Sequence, residues 1–381
     1  MVSEPLLPGG LVMGAYWRML IIGIGYMFPI CAVWAAFDYW KLLFPDQRVE
    51  YDLNMVYQLG SVSTVLILSF CNWQVNIFKR IITGFCGQFI TLAVILSFRW
   101  LPLSADSLFL LLMINTVAMS VVTGILDSAI LSLNSQYSPR MQEAMQVGIG
   151  FSIFVSVIFR VVTKFLGRTP EEAATAFFSI SLLTVFACIY SFVSLLNLPV
   201  SAGVARISPV NPGNLNILRK CWKNELVVFL HFCFCGFGYP AMITAIPSKS
   251  QFWKNHWFQT ILLTVFTITD LGFRSLVRFR GPLNPGNIGW TVLARFVIIP
   301  FLVVAASGWF EDDWTAVLIV GLFGMSNGYF ISLSLILMNE IPNLSKEELF
   351  NVGRFSAFAV NAGLCLGGLT ASFFASILDL Q

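Results

Sequence analysis

The chain is 381 residues long, 57% hydrophobic and only 11% charged, with a formal net charge of +3. An ordinary soluble domain carries roughly 25% charged residues, so this composition excludes a water-soluble globule. The small, dispersed positive charge also excludes the footprint of a nucleic-acid binder. Backbone polar groups in lipid must be paired internally, and the apolar runs are too long and continuous for barrel strands. The expected fold class is an all-α membrane protein.

At about 20 apolar residues per crossing, spans are expected near 17–38, 54–75, 81–101, 108–133, 143–164 and 174–197. After a basic, Pro-rich stretch, further spans are expected near 225–247, 257–277, 288–309, 314–338 and 350–378. The first apolar run is long enough to stay attached as a helix. The pattern gives about eleven transmembrane helices in a 6+5 arrangement. An N-terminal six-helix bundle occupies 1–197, a cytoplasmic linker 198–223 and a C-terminal five-helix bundle 224–381. Such grouping is expected of transporters built from repeated halves.

Of the 22 Lys and Arg, eleven fall in loops on the side of the N-terminus and seven on the opposite side. The positive-inside rule then places the N-terminus in the cytoplasm and the C-terminus outside, in an expected plasma membrane. The sequon Asn343-Leu344-Ser345 falls in a cytoplasmic loop and should carry no sugar. Eight scattered Cys read as small core residues. No phosphate loop, zinc motif or dinucleotide turn is present, and His231 and His256 lie far apart in sequence, so neither an enzyme, a metal nor a cofactor is expected.

Charge inside hydrocarbon is costly, which makes intramembrane ionisable residues functional candidates. Asp270 and Arg274 are four apart on one helix face, with Thr267 one turn before and Arg278 one turn after. They read either as a hydrogen-bonding fork for a polar substrate or as an ion pair that stitches helices. Asp127 sits mid-span, where it could carry a proton; Asp38 ends the first span beside Tyr39 and Trp40; Arg295 pairs with a neighbour or lines a gate. Pro29, Pro240 and Pro300 remove backbone donors within spans and are read as bends. Gly324 and Gly328, like Gly363 and Gly367, have small-xxx-small spacing that suits close helix packing. Trp17, Tyr39, Trp40, Trp73, Trp100, Trp257, Trp309 and Trp314 are expected at the interface. Tyr26, Trp34 and Tyr329 lie deeper and are candidate stacking partners for a ring.

These residues resemble the equilibrative nucleoside transporters, and most of all the plant branch. Asp270-Leu-Gly-Phe-Arg274 is similar to the family's Asp-x-x-x-Arg signature, and Ala294-Arg295 with Pro300-Phe301 to its Arg…Pro pattern. Ser326-Asn327-Gly328-Tyr329, Arg160-Val-Val-Thr-Lys164, Gly23-x-Gly25-x-x-x-Pro29, Asp38-Tyr39…Leu43-Phe44-Pro45 and Gly124-x-x-Asp127 follow in order along nearly the whole chain. The resemblance implies a major-facilitator-like fold and facilitated transport of purine and pyrimidine nucleosides by alternating access. It implies that Asp270 and Arg274 hold the ribose hydroxyls; Asn327, Trp34 and Tyr26 are read alongside them as further substrate-site candidates. Asp127, Asp38, Arg295, Pro29 and Pro240 would serve coupling or gating.

The chain departs from the family pattern in two places. Ile30 and Cys31 follow Pro29 where Trp-Asn is usual, and Leu131 stands where a Gln usually reads the nucleobase. Sugar recognition therefore reads as intact and base recognition as altered. The expected activity is nucleoside transport by a monomer embedded in the bilayer, with proton coupling through Asp127 or Asp38 an open alternative. The runner-up readings are transport of nucleobases or another small polar solute, and a transport-deficient paralogue.

Overall fold

The computed structural model describes residues 9–47, 49–70, 76–167, 169–202, 215–250 and 257–378. The described chain runs through α1 (Gly9–Ala35), α2 (Phe37–Leu43), α3 (Val49–Phe70), α4 (Ile77–Ser97), α5 (Ala105–Asn134), α6 (Pro139–Leu166) and α7 (Pro170–Leu196). It continues through α8 (Pro199–Ala202), α9 (Leu215–Phe237), α10 (Trp257–Ser275), α11 (Trp290–Phe296), α12 (Ile298–Ala306), α13 (Asp313–Leu337) and α14 (Lys346–Ile377). No strand occurs among the described residues. Among the described residues each expected span falls on a helix or a broken helix pair, and eight helical stretches are long and apolar enough to cross a membrane; residues 71–75 of the second expected span lie outside them.

The helix ends follow local chemistry. Ser104, Thr169 and Asp312 cap α5, α7 and α13 with side-chain oxygens, and Ser345 with Glu348 forms a capping box on α14. Pro300 cannot donate to the carbonyl of Phe296, and α11 ends at Phe296. Pro240 holds Tyr239 out of the helical region, at φ −110° and ψ 134°, where α9 passes into a wider turn. Pro29 does not break α1; the interruption falls at Ala36, at φ −98° and ψ 18°.

Two expectations are corrected here. The stretch 215–223, assigned to the linker, is the first part of α9: Ile217 and Cys221 are buried while Leu215, Lys220 and Trp222 face outward, so an amphipathic helix extends past the apolar run. Of the rest of the linker, 198–202 holds the short α8 and 203–214 lies outside the described residues. Trp40, expected at the interface, is fully buried among Phe98, Phe178 and Ala36, and donates Nε1–H to the carbonyl of Val33. Trp17, Trp100, Trp309 and Trp314 are exposed, as interfacial residues would be.

Helices α1, α3, α4, α5, α6 and α7 pack on one another, and α9 to α14 do likewise. Between the two groups, α14 lies against α3 and α5, and α6 lies against α10 and α13. The small-residue pairs sit where backbones meet. A Cβ on Gly324 or Gly328 would strike the backbone of Phe266 or Asp270 in α10, and one on Gly363 or Gly367 the backbone of α9. Gly328 thus brings α13 onto the helix that carries the charged pair.

Candidate functional site

The centre of the site is the i, i+4 pair of α10, both members almost wholly buried. Arg274 donates Nε–H to Asp270 Oδ2 at 2.7 Å and Nη2–H to Asp270 Oδ1 at 3.4 Å. Asn327 of α13 donates to Asp270 Oδ1 at 2.7 Å and accepts at its own Oδ1 from Arg295 Nη2 at 2.9 Å. Arg295 of α11 also donates to the carbonyl of His231 at 2.8 Å and lies between the rings of Phe234 and Phe323. Among the described residues Arg295 therefore meets no carboxylate directly; the Asn327 amide stands between it and Asp270.

The network crosses from one helix group to the other at Arg274. Its Nη1 reaches Gln146 Oε1 of α6 and Ser332 Oγ of α13, each at 3.4 Å, at the long limit for a hydrogen bond. Gln146 Nε2 is buried with no partner among the described residues. Gly150, one turn from Gln146, leaves room for the Arg274 stem. A strongly held ion pair thus presents one loosely satisfied guanidinium N–H beside an unused amide N–H, at the junction between the two groups. One turn past Arg274, at Val277, begins a polar cleft of about 360 Å³ lined by Tyr16, Arg140, Glu143, Arg278 and Arg280. The pair itself is buried and is not among the residues that line the cleft.

A second polar constellation faces α14 from α1, α3 and α5. Asn361 donates to Asp127 Oδ2 at 2.8 Å and accepts from Ser61 at 2.7 Å, and Tyr26 lies beside the same carboxylate. Asp127 Oδ1 has no partner among the described residues. Gln88 of α4 donates to Thr123 at 3.1 Å, and Trp34 packs edge-on against Tyr57 at 5.8 Å, its Nε1 having no partner among the described residues. Asp127, Tyr26 and Trp34 therefore belong to the first helix group, while Asp270, Arg274, Asn327 and Arg295 belong to the second.

Pro29 lies buried inside α1, and Pro240 sits at the bend beyond α9. Tyr329 donates its hydroxyl to the carbonyl of Phe279 at 2.8 Å, which occupies its polar end. The side chain of Asp38 lies outside the described residues. Ile30, Cys31 and Leu131 are all buried, Leu131 among Ile331, Val352 and Phe355. The polar partners Gln146, Gln88, Asn361 and Ser332 were not singled out in the sequence. Their only signal is an amide or hydroxyl inside an apolar run.

The nucleoside transporter family pattern matches residues 213–376, which contain Asp270, Arg274, Arg295 and Asn327. Over 368 residues the chain is 23% identical to equilibrative nucleotide transporter 8 of Arabidopsis thaliana, covering 93% of each protein. The chain is thus similar to nucleoside transporters, through the family pattern in its C-terminal part and through a relative that matches along most of its length. This transporter is also 25% identical over 155 residues to nucleoside transporter 2 of Crithidia fasciculata, across 40% of the chain and 30% of that protein. Its fold matches that of the major facilitator proton:xylose symporter XylE at a TM-score of 0.70, with 11% identity, covering 97% of this chain and 90% of that one. Human organic anion transporter MFSD10 matches at 0.58 with 14% identity, covering 98% and 96%. The transporter is a non-enzymatic, multi-pass integral membrane protein.

Proposed function

We propose that this carrier moves nucleosides across the bilayer by alternating access, with the sugar held at Arg274 and Asp270. The supporting observation is the uneven satisfaction of Arg274: Nε is held at 2.7 Å by Asp270, while Nη1 makes only two contacts of 3.4 Å, across the junction of the helix groups. A ribose offers hydroxyls that accept from Nη1 and Gln146 Nε2 and donate to the carboxylate, replacing long contacts by short ones. Asn327, itself held by Arg295, fixes the position of the Asp270 carboxylate. Strengthening bonds at the junction only when cargo is present gives the two groups a reason to close around it.

The nucleobase then lies toward the first group, among Trp34, Tyr57, Tyr26 and Gln88. An aromatic edge pair and amide groups there supply stacking and hydrogen bonds. Leu131 and Cys31 take no part in that reading, so base preference shifts from the family pattern. The termini are oriented N-inside and C-outside, with rocking of 1–197 against 224–381 in a plasma membrane.

The test is uptake of labelled adenosine and uridine in a transport-null cell, with counterflow from preloaded unlabelled nucleoside. Accelerated entry of label marks a carrier for nucleosides. Absence of uptake at verified surface expression rejects the substrate, and uptake without counterflow rejects the carrier mechanism.

A further inference from the structure

The cleft that begins at Val277 is built by both helix groups. Tyr16 of α1 with Arg140 and Glu143 of α6 come from the first, and Arg278 and Arg280, in the turn after α10, come from the second. Its volume of about 360 Å³ falls at the lower end of the range of about 300–1,000 Å³ that takes small organic ligands. Val277 and Ile336, both buried, supply apolar lining.

Three guanidiniums share this cleft with one carboxylate. Arg280 is paired, with Glu340. Arg140 and Arg278 make no ion pair among the described residues; they lie over the rings of Tyr16, at 5.9 Å, and Phe279, at 5.0 Å. Glu143, half-buried, makes no ion pair there either. Helix α6 adds to the positive potential, because it starts at Pro139 and its N-cap Ser138 places no side chain on the first-turn N–H groups. The positive end of a 28-residue helix thus opens beside Arg140.

Two unpaired guanidiniums carried into one cleft by different helix groups oppose its closing. A phosphomonoester answers that imbalance, with close to two negative charges and oxygens that accept from the planar guanidinium fork. Glu143 would repel a bare phosphate, but a carboxylate accepts from hydroxyls. The set therefore suits a phosphate joined to a hydroxylated body.

We propose that this cleft binds a sugar phosphate ester, either a ribose phosphate or a nucleoside monophosphate, with Arg140 and Arg278 on the phosphate and Glu143 on the sugar hydroxyls. Held by a residue of each group, the ester ties the two groups together at this end of the bundle. The site is separate from Asp270 and Arg274 and stands whether or not nucleosides are the cargo.

The test reads the melting midpoint of the purified full-length carrier in detergent, with no transport step, so its failure leaves the cargo reading untouched. At saturation, ribose 5-phosphate and adenosine monophosphate should each raise the midpoint by about 2 °C over sodium chloride at matched ionic strength, and inorganic phosphate by less. A larger rise with adenosine monophosphate assigns the site to nucleotides, and equal rises assign it to the sugar phosphate alone. Arg140→Gln and Arg278→Gln alter exposed side chains, so both should fold, and each should lose the rise. Arg219→Gln, at an exposed position of α9 outside the cleft, should keep it. Glu143→Gln should bring inorganic phosphate level with the esters, since it removes the repulsion of phosphate and weakens the hold on hydroxyls. No rise with either ester, an equal rise with inorganic phosphate in the wild type, or an undiminished rise in Arg140→Gln or Arg278→Gln overturns the proposal.

Discussion

Asn327 donates to Asp270 across the α10–α13 contact at 2.7 Å while accepting from Arg295 at 2.9 Å, so one amide serves a buried anion and a buried cation together. The amide tip carries a donor and an acceptor on separate atoms, so it can serve both partners at once. Asn327→Ala takes one hydrogen bond from each buried charge, which should cost about 1–3 kcal/mol of stability. Asn327→Asp keeps the acceptor for Arg295 but sets a second carboxylate against Asp270. It is expected to reduce nucleoside uptake more than its melting midpoint falls. Paired measurement of surface expression, melting and uptake checks this; equal uptake in both variants and wild type removes Asn327 from the site.

The ion pair itself sets the next expectation. Asp270→Asn and Arg274→Ala each leave one buried charge without its partner, a loss of about 3–5 kcal/mol in comparable pairs. Arg274→Lys keeps charge but loses the fork, so it isolates geometry from electrostatics. All three should abolish counterflow, with Arg274→Lys the best expressed of them. Counterflow near the wild-type rate in Arg274→Lys at matched expression would show that the pair stitches helices without touching cargo.

The pair was legible because its spacing of four fixes one helix face regardless of tertiary context. Its partners were not: Gln146 and Asn327 lie 128 and 57 positions from the residues they contact, and no local periodicity encodes that meeting. Local signals misled at Trp40, where a tryptophan at a span end reads as interfacial. The helix is interrupted at Ala36, and the ring that follows it is buried in the core. Pro240 and Pro300 marked real interruptions, whereas Pro29 did not. Helices can absorb one missing donor when the packing on both sides continues.

Close approach around the site gives a contrast within one helix pair. A methyl at Gly328 would meet the Asp270 backbone, which cannot step aside, so Gly328→Ala should lower stability by about 1–3 kcal/mol and uptake with it. Gly272, two residues after Asp270, has nothing within 4 Å of an added Cβ. Gly272→Ala should therefore be neutral or slightly stabilising through helix propensity. Thermal melting of both variants in detergent checks the pair, and a Gly328→Ala carrier as stable as wild type would contradict the helix contact described here.

Asp127 provides the expectation that bears on energy coupling. One of its oxygens accepts from Asn361 at 2.8 Å; the other has no partner among the described residues, and no cation of the network reaches it. A proton is the smallest species that can neutralise such a group and leave again as the helix groups separate. Uptake by the wild type is therefore expected to rise as external pH falls, because the protonated acid is the form that tolerates closure. Asp127→Asn mimics that form permanently, since its amide still occupies the place beside Asn361 and Tyr26. It should keep uptake but lose the pH slope. Uptake measured at external pH 5.5 and 7.5 in both carriers decides the matter: a slope that survives in the variant assigns any proton coupling to another residue.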